Sequence, residues 1–330
     1  LTRHTSDSGR VAVTIITFNS SAFIRQCLRY LFEQDYESKE VIIVDNASTD
    51  GTAGILREYE NVAQVVRNRE NVGFAAGQNQ AIALSNSPWV LTLNPDVRLT
   101  TSFIRMLVAA AESESDVGSV CGKLLAMGTD FEIPQNPVFD SAGIYMTRNQ
   151  RHLDRGSRMP DQGQYDRAEY VFGGTGAACL YRRRMIEEIS INGEFFDSDF
   201  FAYREDADVA WRAQLAGWKC WYTPLALAYH VRSVLPSNRR SVPAVLNMHS
   251  VKNRWLMRIK NMTAGVYKRY WLPITMRDLV VVVGCLVREW TSLRAFWLVL
   301  RSFPSTLAKR RVIMQRRRVS DDRMVSWFSN

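Results

Sequence analysis

The chain has 330 residues, 46% hydrophobic and 23% charged, which excludes wholesale disorder and exceeds the usual size of a single domain. Its net charge of +9 is unevenly placed, with 19 Lys and Arg against 4 Asp and Glu in residues 239–330, and 23 against 29 in residues 1–238. A mildly acidic body with a basic end points to an anionic partner, either a membrane surface or a nucleic acid.

The N-terminal LTRHTSDSGR lacks the apolar core of a signal peptide. Residues 11–19, VAVTIITFN, predict a β-branched first strand with a polar end at Thr17, Phe18 and Asn19. Ser20 or Ser21 can cap a following helix, on which Phe23, Ile24, Cys27, Leu28, Leu31 and Phe32 recur at helical spacing. A second strand over 40–44 ends at Asp45 and Asn46 and enters DNASTDGT. A third near 62–66 leads through NRENVGFAAGQNQ into a helix from about Gly77. Residues 90–99, VLTLNPDVRL, read as a buried strand that leaves the sheet at Asn94, Pro95 and Asp96, where Pro95 removes an N–H that would otherwise need a ladder partner. Strand, helix, strand in this order predicts an α/β fold with right-handed parallel units, and ligands of such sheets gather beyond the strand ends. GxGxxG after the first strand and the Walker A motif are both missing, since TFNSSAF stands where the former would be.

From Thr100 a helix carrying Phe103, Ile104, Leu107, Val108 and Ala111 leads to a strand around 118–121. Residues 126–170 are polar and rich in Pro and Gly, and predict a mobile flap over the cleft. In YVFGGTGAACLYRR, Gly173, Gly174 and Gly176 allow either a close backbone approach to a ligand or a bend between two strands. FFDSDFFAYREDADVAW places Glu205, Asp206 and Asp208 at a helix start, more acid than the helix dipole needs. WKCWYTP predicts a short strand, and His230 follows a further apolar run. A lone histidine there is more often a hydrogen-bonded structural residue. Five cysteines, Cys27, Cys121, Cys179, Cys220 and Cys285, without a CxxC pair, favour a reducing compartment and argue against a thiolate zinc site.

Residues 245–330 interleave tryptophan with arginine. A helix from about Met276 would align Leu279, Val283, Leu286, Trp290, Leu293, Trp297 and Leu300 in one apolar stripe, with Arg288 on the far side. That stripe packs on the core or a second subunit, or lies on an anionic leaflet together with the basic runs 309–311 and 316–318. Its apolar part, 279–287, is too short to cross a bilayer.

Seven blocks in order, VTIITFNS, VIIVDNASTDGT, NVGFAAGQN, LTLNPDV, FGGTGAACLYRR, FFAYREDADVAWRAQLAG and ALAYHVRS, resemble the inverting nucleotide-sugar glycosyltransferases of family 2, above all the bacterial rhamnosyltransferase-type members. The resemblance covers about residues 11–233. It implies an α/β fold of GT-A type: a Rossmann-like, mostly parallel central sheet flanked by helices, with a C-terminal helical appendage. The implied division is a nucleotide-sugar-binding half (11–98), an acceptor-binding and catalytic half (99–238), and a basic, Trp-rich extension (239–330). By the same resemblance Thr17, Phe18 and Asn19 line the nucleoside pocket, Asp45 reads the pyrimidine, and Asn71, Gly73 and Asn79 lie close to the nucleotide. Asp96 would be the metal-binding end of an Asp-x-Asp motif, with His230 as the second ligand. Gly173, Gly174 and Thr175 would form a donor and acceptor loop, Asp206 the base, and Glu205 its neighbour orienting the acceptor.

The chemistry is consistent with this reading. A sugar diphosphate departs with concentrated negative charge, which a divalent Mg²⁺ or Mn²⁺ neutralises, and a histidine ligand tilts the choice to Mn²⁺. Asn94 stands where the motif usually has its first Asp, so one anion is lost. A base opposite the leaving group gives single displacement with inversion; a hydrolytic pair of carboxylates competes, yet leaves the polar strand edge unexplained. The expected protein is therefore an enzyme moving a sugar, with L-rhamnose suggested by the resemblance, from a dTDP- or UDP-sugar to a polysaccharide or lipid-linked glycan. It would sit on the cytoplasmic face of a bacterial membrane, with a homo-oligomer a further use of the stripe. Two alternatives stay open: a catalytically silent assembly partner, and a nucleic-acid binder acting through the basic end, for which no known module is recognisable.

Overall fold

The computed structural model describes residues 9–231 and 244–328. Its first half follows the sequence pattern: β1 (Val11–Thr17), α1 (Ile24–Phe32), β2 (Lys39–Asp45), α2 (Thr52–Arg57), β3 (Gln64–Arg67), α3 (Phe74–Ala83) and β4 (Trp89–Leu93) alternate in order. β1 and β4 are buried along their whole length, as strands without polar alternation must be. β1 pairs in parallel with β2 and β4, and β2 with β3, so the C-terminal ends of these strands share one edge.

Beyond Pro95 the chain makes a short strand that the sequence did not suggest, β5 (Val97–Leu99), before α4 (Phe103–Glu112) and β6 (Val117–Ala126). The segment expected to be a flap instead holds β7 (Phe139–Ser141), β8 (Ile144–Met146), β9 (His152–Asp154) and β10 (Glu169–Val171), with β8 and β9 forming a separate two-stranded sheet. Then come β11 (Ala178–Arg182), α5 (Arg183–Ile189), α6 (Glu205–Leu215) and β12 (Lys219–His230). β12 corrects the expected short strand: WKCWYTP and the apolar run after it form one 12-residue strand, with a register shift between Thr223 and Leu227.

The main sheet runs β10-β12-β6-β11-β4-β1-β2-β3, with β5 and β7 on its flank. It is parallel only from β3 to β4 and between β6 and β12; β11 runs antiparallel to both β4 and β6, so the mostly parallel expectation holds for the first half alone. One face packs on α1, α2 and α4 and the other on α3, α5 and α6, giving a three-layer core.

The C-terminal end forms α7 (Ala244–Asn261), α8 (Ala264–Val287), α9 (Arg294–Gln315) and α10 (Asp321–Ser326). Leu256, Met257, Tyr270, Ile313 and Phe328 share one apolar cluster with Trp211 of α6, so these helices are built into the body. The expected domain boundary at 238/239 lies outside the described residues. The single helix expected from Met276 is corrected in two ways. α8 begins at Ala264 and is long and apolar enough to cross a membrane by length and composition, and the chain breaks between Val287 and Arg294. α8 is kinked at Tyr270, three residues before Pro273, whose ring and missing N–H disrupt the preceding turn.

Most of the predicted stripe remains exposed: Leu279, Val283, Leu286, Trp290, Trp297 and Leu300 all face outward. The basic runs do not form a free patch beside it. Lys309 pairs with Asp197 and Asp199, Arg310 donates to the carbonyls of Ile259 and Met262, Arg316 to those of Glu188 and Ser190, Arg317 pairs with Asp321, and Arg318 with Glu188. Each of these five cations has a partner within the molecule, with the Arg318 side chain still 64% exposed.

Candidate active site

Asp96 and His230 meet because β5 pairs with β12. His230 stands opposite Val97, and the Val231 N–H donates to the Asp96 carbonyl at 3.0 Å. His230 Nε2 lies 3.2 Å from Asp96 Oδ1, and Nδ1 lies 2.9 Å from Oδ2 of Asp140 on β7. Burial disfavours the imidazolium, but Asp96 and Asp140 outweigh it and raise His230 to about 10. Asp140 was missed in the sequence; it sits in the segment read as a flap, and nothing local marks it.

Among the described residues no group of three or more His, Cys, Asp and Glu is arranged to hold a metal ion. Asp96 and His230 nevertheless suit a two-ligand site. Asp96 Oδ1 is buried with no well-formed hydrogen bond among the described residues. His230 is oriented through its far nitrogen by a carboxylate, the usual support of a metal-ligating imidazole. A divalent ion held here would take its remaining oxygens from substrate phosphates and water, as Mg²⁺ and Mn²⁺ commonly do.

The acidic pair stands at the first turn of α6, reached through a contorted backbone. Phe201, Tyr203 and Arg204 all have positive φ, at 64°, 70° and 75°, conformations that cost L-residues of order 1–3 kcal/mol each unless the surroundings impose them. Here Asn253 of α7 imposes them, its Nδ2 donating to the carbonyls of Phe200, Ala202 and Tyr203 at 2.8, 2.9 and 2.8 Å. Asn253→Ala is expected to lower stability by about 1–3 kcal/mol and to lower kcat while nucleotide affinity holds. Denaturant melts and paired kinetic and binding assays check both halves.

Asp206 accepts the Gly176 N–H on Oδ2 at 3.2 Å and the Ala207 N–H on Oδ1 at 2.7 Å. Burial, then the nearby charge of Asp154, push its carboxyl above the ordinary range. Asp154 is a second residue the sequence reading missed. Burial and the charge of Asp206 push Glu205 up to about 8, and its Oε2 is buried without a partner among the described residues. The third acid parts from the pair: Asp208 points inward to Arg212 at 2.9 Å, Lys260 at 3.0 Å and Asn261 at 2.7 Å.

At the strand edge, Thr17 Oγ1 and Ser48 Oγ donate to Asp45 Oδ1 at 2.7 and 2.5 Å, and the Asp45 side chain is enclosed. Asn19 Oδ1 receives the Thr49 N–H at 2.8 Å, and Asn71 Oδ1 the Gly73 N–H at 2.9 Å. Phe18 is half exposed and offers an open ring face.

Four of the expected contact residues have packing or hydrogen-bond roles within the fold. Asn79 spends its amide on the backbone of Phe195 and Phe196, receiving both N–H groups on Oδ1 and donating from Nδ2 to the Phe196 carbonyl at 2.7 Å. Gly173 and Gly174 are packing glycines: a Cβ would fall 2.3 Å from the Ala210 Cβ in one and 2.5 Å from Cys179 Sγ in the other. Gly73 is also governed by packing. Its φ of +87° and a Cβ position 2.6 Å from Phe201 leave no room for a side chain.

Asn94, Asp96, Thr175, Glu205, Asp206 and His230 line one cleft of about 530 Å³, within the ordinary range for small-molecule sites. A three-layer α/β body with a polar parallel-strand edge, and with an aspartate, a histidine and a carboxylate pair lining one cleft, defines a glycosyltransferase of the GT-A fold.

The chain belongs to Glycosyl transferase family 2, whose profile matches residues 12–190. It is 27% identical over 242 residues to a Mycobacterium tuberculosis N-acetylglucosaminyl-diphospho-decaprenol L-rhamnosyltransferase, covering 66% of this chain and 75% of that one. It is 22% identical over 225 residues to a Staphylococcus aureus poly-β-1,6-N-acetyl-D-glucosamine synthase, covering 66% and 49%. Among solved structures, S. aureus TarS superposes with a TM-score of 0.55 at 17% identity over 93% of this chain and 55% of that one. The mannosyltransferase PcManGT of Pyrobaculum calidifontis, in complex with GDP-Man and Mn²⁺, gives 0.52 at 16% over 93% and 85%. The family match ends before Glu205, so the roles of Glu205, Asp206 and His230 rest on the geometry above.

Proposed function

We propose that this transferase moves a sugar, L-rhamnose by analogy with the mycobacterial relative, from a dTDP- or UDP-sugar to a hydroxyl of a polysaccharide or lipid-linked glycan, with inversion. The convergence of Asp96, His230, Glu205 and Asp206 on one cleft carries this reading. The donor would lie along the 11–98 half, its base near Phe18 and Asp45, and the acceptor on the 99–238 half. Asp206 takes the acceptor hydroxyl proton as the oxygen attacks the anomeric carbon, and the bond to the diphosphate oxygen breaks on the opposite face. Glu205, whose carboxyl is pushed up by burial and by the charge of Asp206, stands beside the base and orients the acceptor. Asp96 and His230 would hold a divalent Mg²⁺ or Mn²⁺ ion, which when bound neutralises the leaving diphosphate. The outward apolar residues of α8 and α9 support a peripheral position on the inner face of a bacterial membrane.

Titration of UDP and dTDP tests the donor side. Mn²⁺ is expected to tighten binding by about tenfold or more, and Asp96→Asn to remove that gain. Binding indifferent to metal, or no nucleotide binding at all, overturns the reading.

A further inference from the structure

A second cavity, about 320 Å³, adjoins the catalytic cleft and shares His152, Arg204 and Ser250 with it. Five arginines line it: Arg151 and Arg204 from the body, Arg254 from α7, Arg277 from the middle of α8 and Arg288 at its C-terminal end. Glu289 is the one carboxylate among the lining residues, while Asp278 is engaged by Arg254 and Arg258 at 3.2 and 2.7 Å. Arg204 donates to the Ser250 carbonyl at 3.0 Å and lies 3.0 Å from His152 Nδ1, so its guanidinium is held in place on the wall shared with the cleft.

The remaining wall is apolar, formed by Val280, Val281 and Gly284 of α8. Val283, Leu286 and Val287 continue from it along the same helix and are exposed at 54%, 60% and 72%. Guanidinium groups therefore stand between a cleft suited to a sugar and a helix surface suited to a hydrocarbon chain.

From this juxtaposition we propose that the arginine-lined cavity holds the diphosphate of a lipid-linked acceptor, its sugar reaching into the cleft toward Asp206 and its lipid lying along α8. The proposal rests on the cleft being the site of sugar transfer, and it adds the acceptor's chemical class and the residues that select it. Planar guanidinium groups bind phosphoryl oxygens in bidentate fashion, so several of them favour a diphosphate over a singly charged phosphodiester. The donor's own diphosphate belongs in the cleft beside Asp96 and His230, neither of which lines this cavity.

The test uses the full chain and farnesyl diphosphate, a short hydrocarbon diphosphate, by calorimetry. Arg151→Gln combined with Arg288→Gln alters two exposed side chains and is expected to leave the melting temperature in place. Farnesyl diphosphate is expected to bind the native protein, to bind the double variant about tenfold or more weakly, and to resist displacement by UDP. UDP affinity should stay within about twofold, and farnesol should not compete. Equal affinity in native and variant protein overturns the proposal, as does displacement by UDP, which would place the probe in the donor site. A variant that loses affinity for phosphatidylglycerol vesicles but keeps farnesyl diphosphate makes the cavity a headgroup site and also overturns it. Failure of the Mn²⁺-linked UDP titration concerns the transfer reading alone, so the two failures are distinguishable.

Discussion

Asp206→Asn is expected to lower kcat by about 10²–10⁴-fold, the usual worth of a positioned base, with UDP or dTDP affinity unchanged within about twofold. An amide has one accepting oxygen, so it keeps only one of the hydrogen bonds from Gly176 and Ala207, which Asp206 receives on separate oxygens, and it cannot take a proton. Quenched-flow or steady-state rates with separate nucleotide titrations separate the two terms, and a loss shared equally by kcat and donor affinity would demote Asp206 to a structural role. The pH dependence follows from the same environment. A base works unprotonated, and burial raises both carboxylates, so the rate should fall as pH drops through their raised titration range. Because the two groups are adjacent, the limb belongs to the pair. Asp154→Asn removes a charge that helps hold Asp206 up, so it should move that limb to lower pH. A limb that stays in place excludes Asp154 from tuning the base.

How far the sequence revealed this site depends on whether its parts are local or distant. VLTLNPDVRL displayed the cleft edge directly, because a buried strand interrupted by Asn-Pro-Asp has few other readings, and the acidic cluster before Ala207 was equally visible. The five apolar residues placed on the helix after Thr100 are all buried in α4. What could not be read was pairing between distant segments. Asp140 supports His230 only because β7 and β12 both flank β6, and Asn253 reaches Phe200 and Tyr203 across a gap of about fifty residues. The glycines were ambiguous for a physical reason: a missing Cβ looks the same in a sequence whether a ligand or a neighbouring Ala210 fills the space. The basic runs misled, since net charge does not disclose that Lys309 and Arg318 have acidic partners inside the fold.

Lys260→Met is expected to destabilise the protein by about 3–5 kcal/mol, the typical effect of removing one partner from a buried ionic network. Lys260 is almost wholly buried and pairs with both Asp197 and Asp208, which are buried too. Asp208 retains Arg212 and Asn261 in the variant, but Asp197 is left with the Asp199 N–H and one cation, Lys309. Lys309→Met, at a less enclosed cation, should cost less. Burial favours the neutral form of Asp197, yet Lys260 and Lys309 override it and hold its carboxyl below the usual carboxylate range. The stability from that pairing is therefore present above the ordinary carboxylate titration and lost as pH falls through the depressed value, and Lys260→Met should flatten this acid dependence. Urea melts from pH 7 downward read both effects. A loss under about 1 kcal/mol would mean that the α7 helix leans on the acidic segment without holding it; the full loss would mean that the basic C-terminal end, by neutralising residues 197–208, is what lets a carboxylate pair be presented at the start of α6.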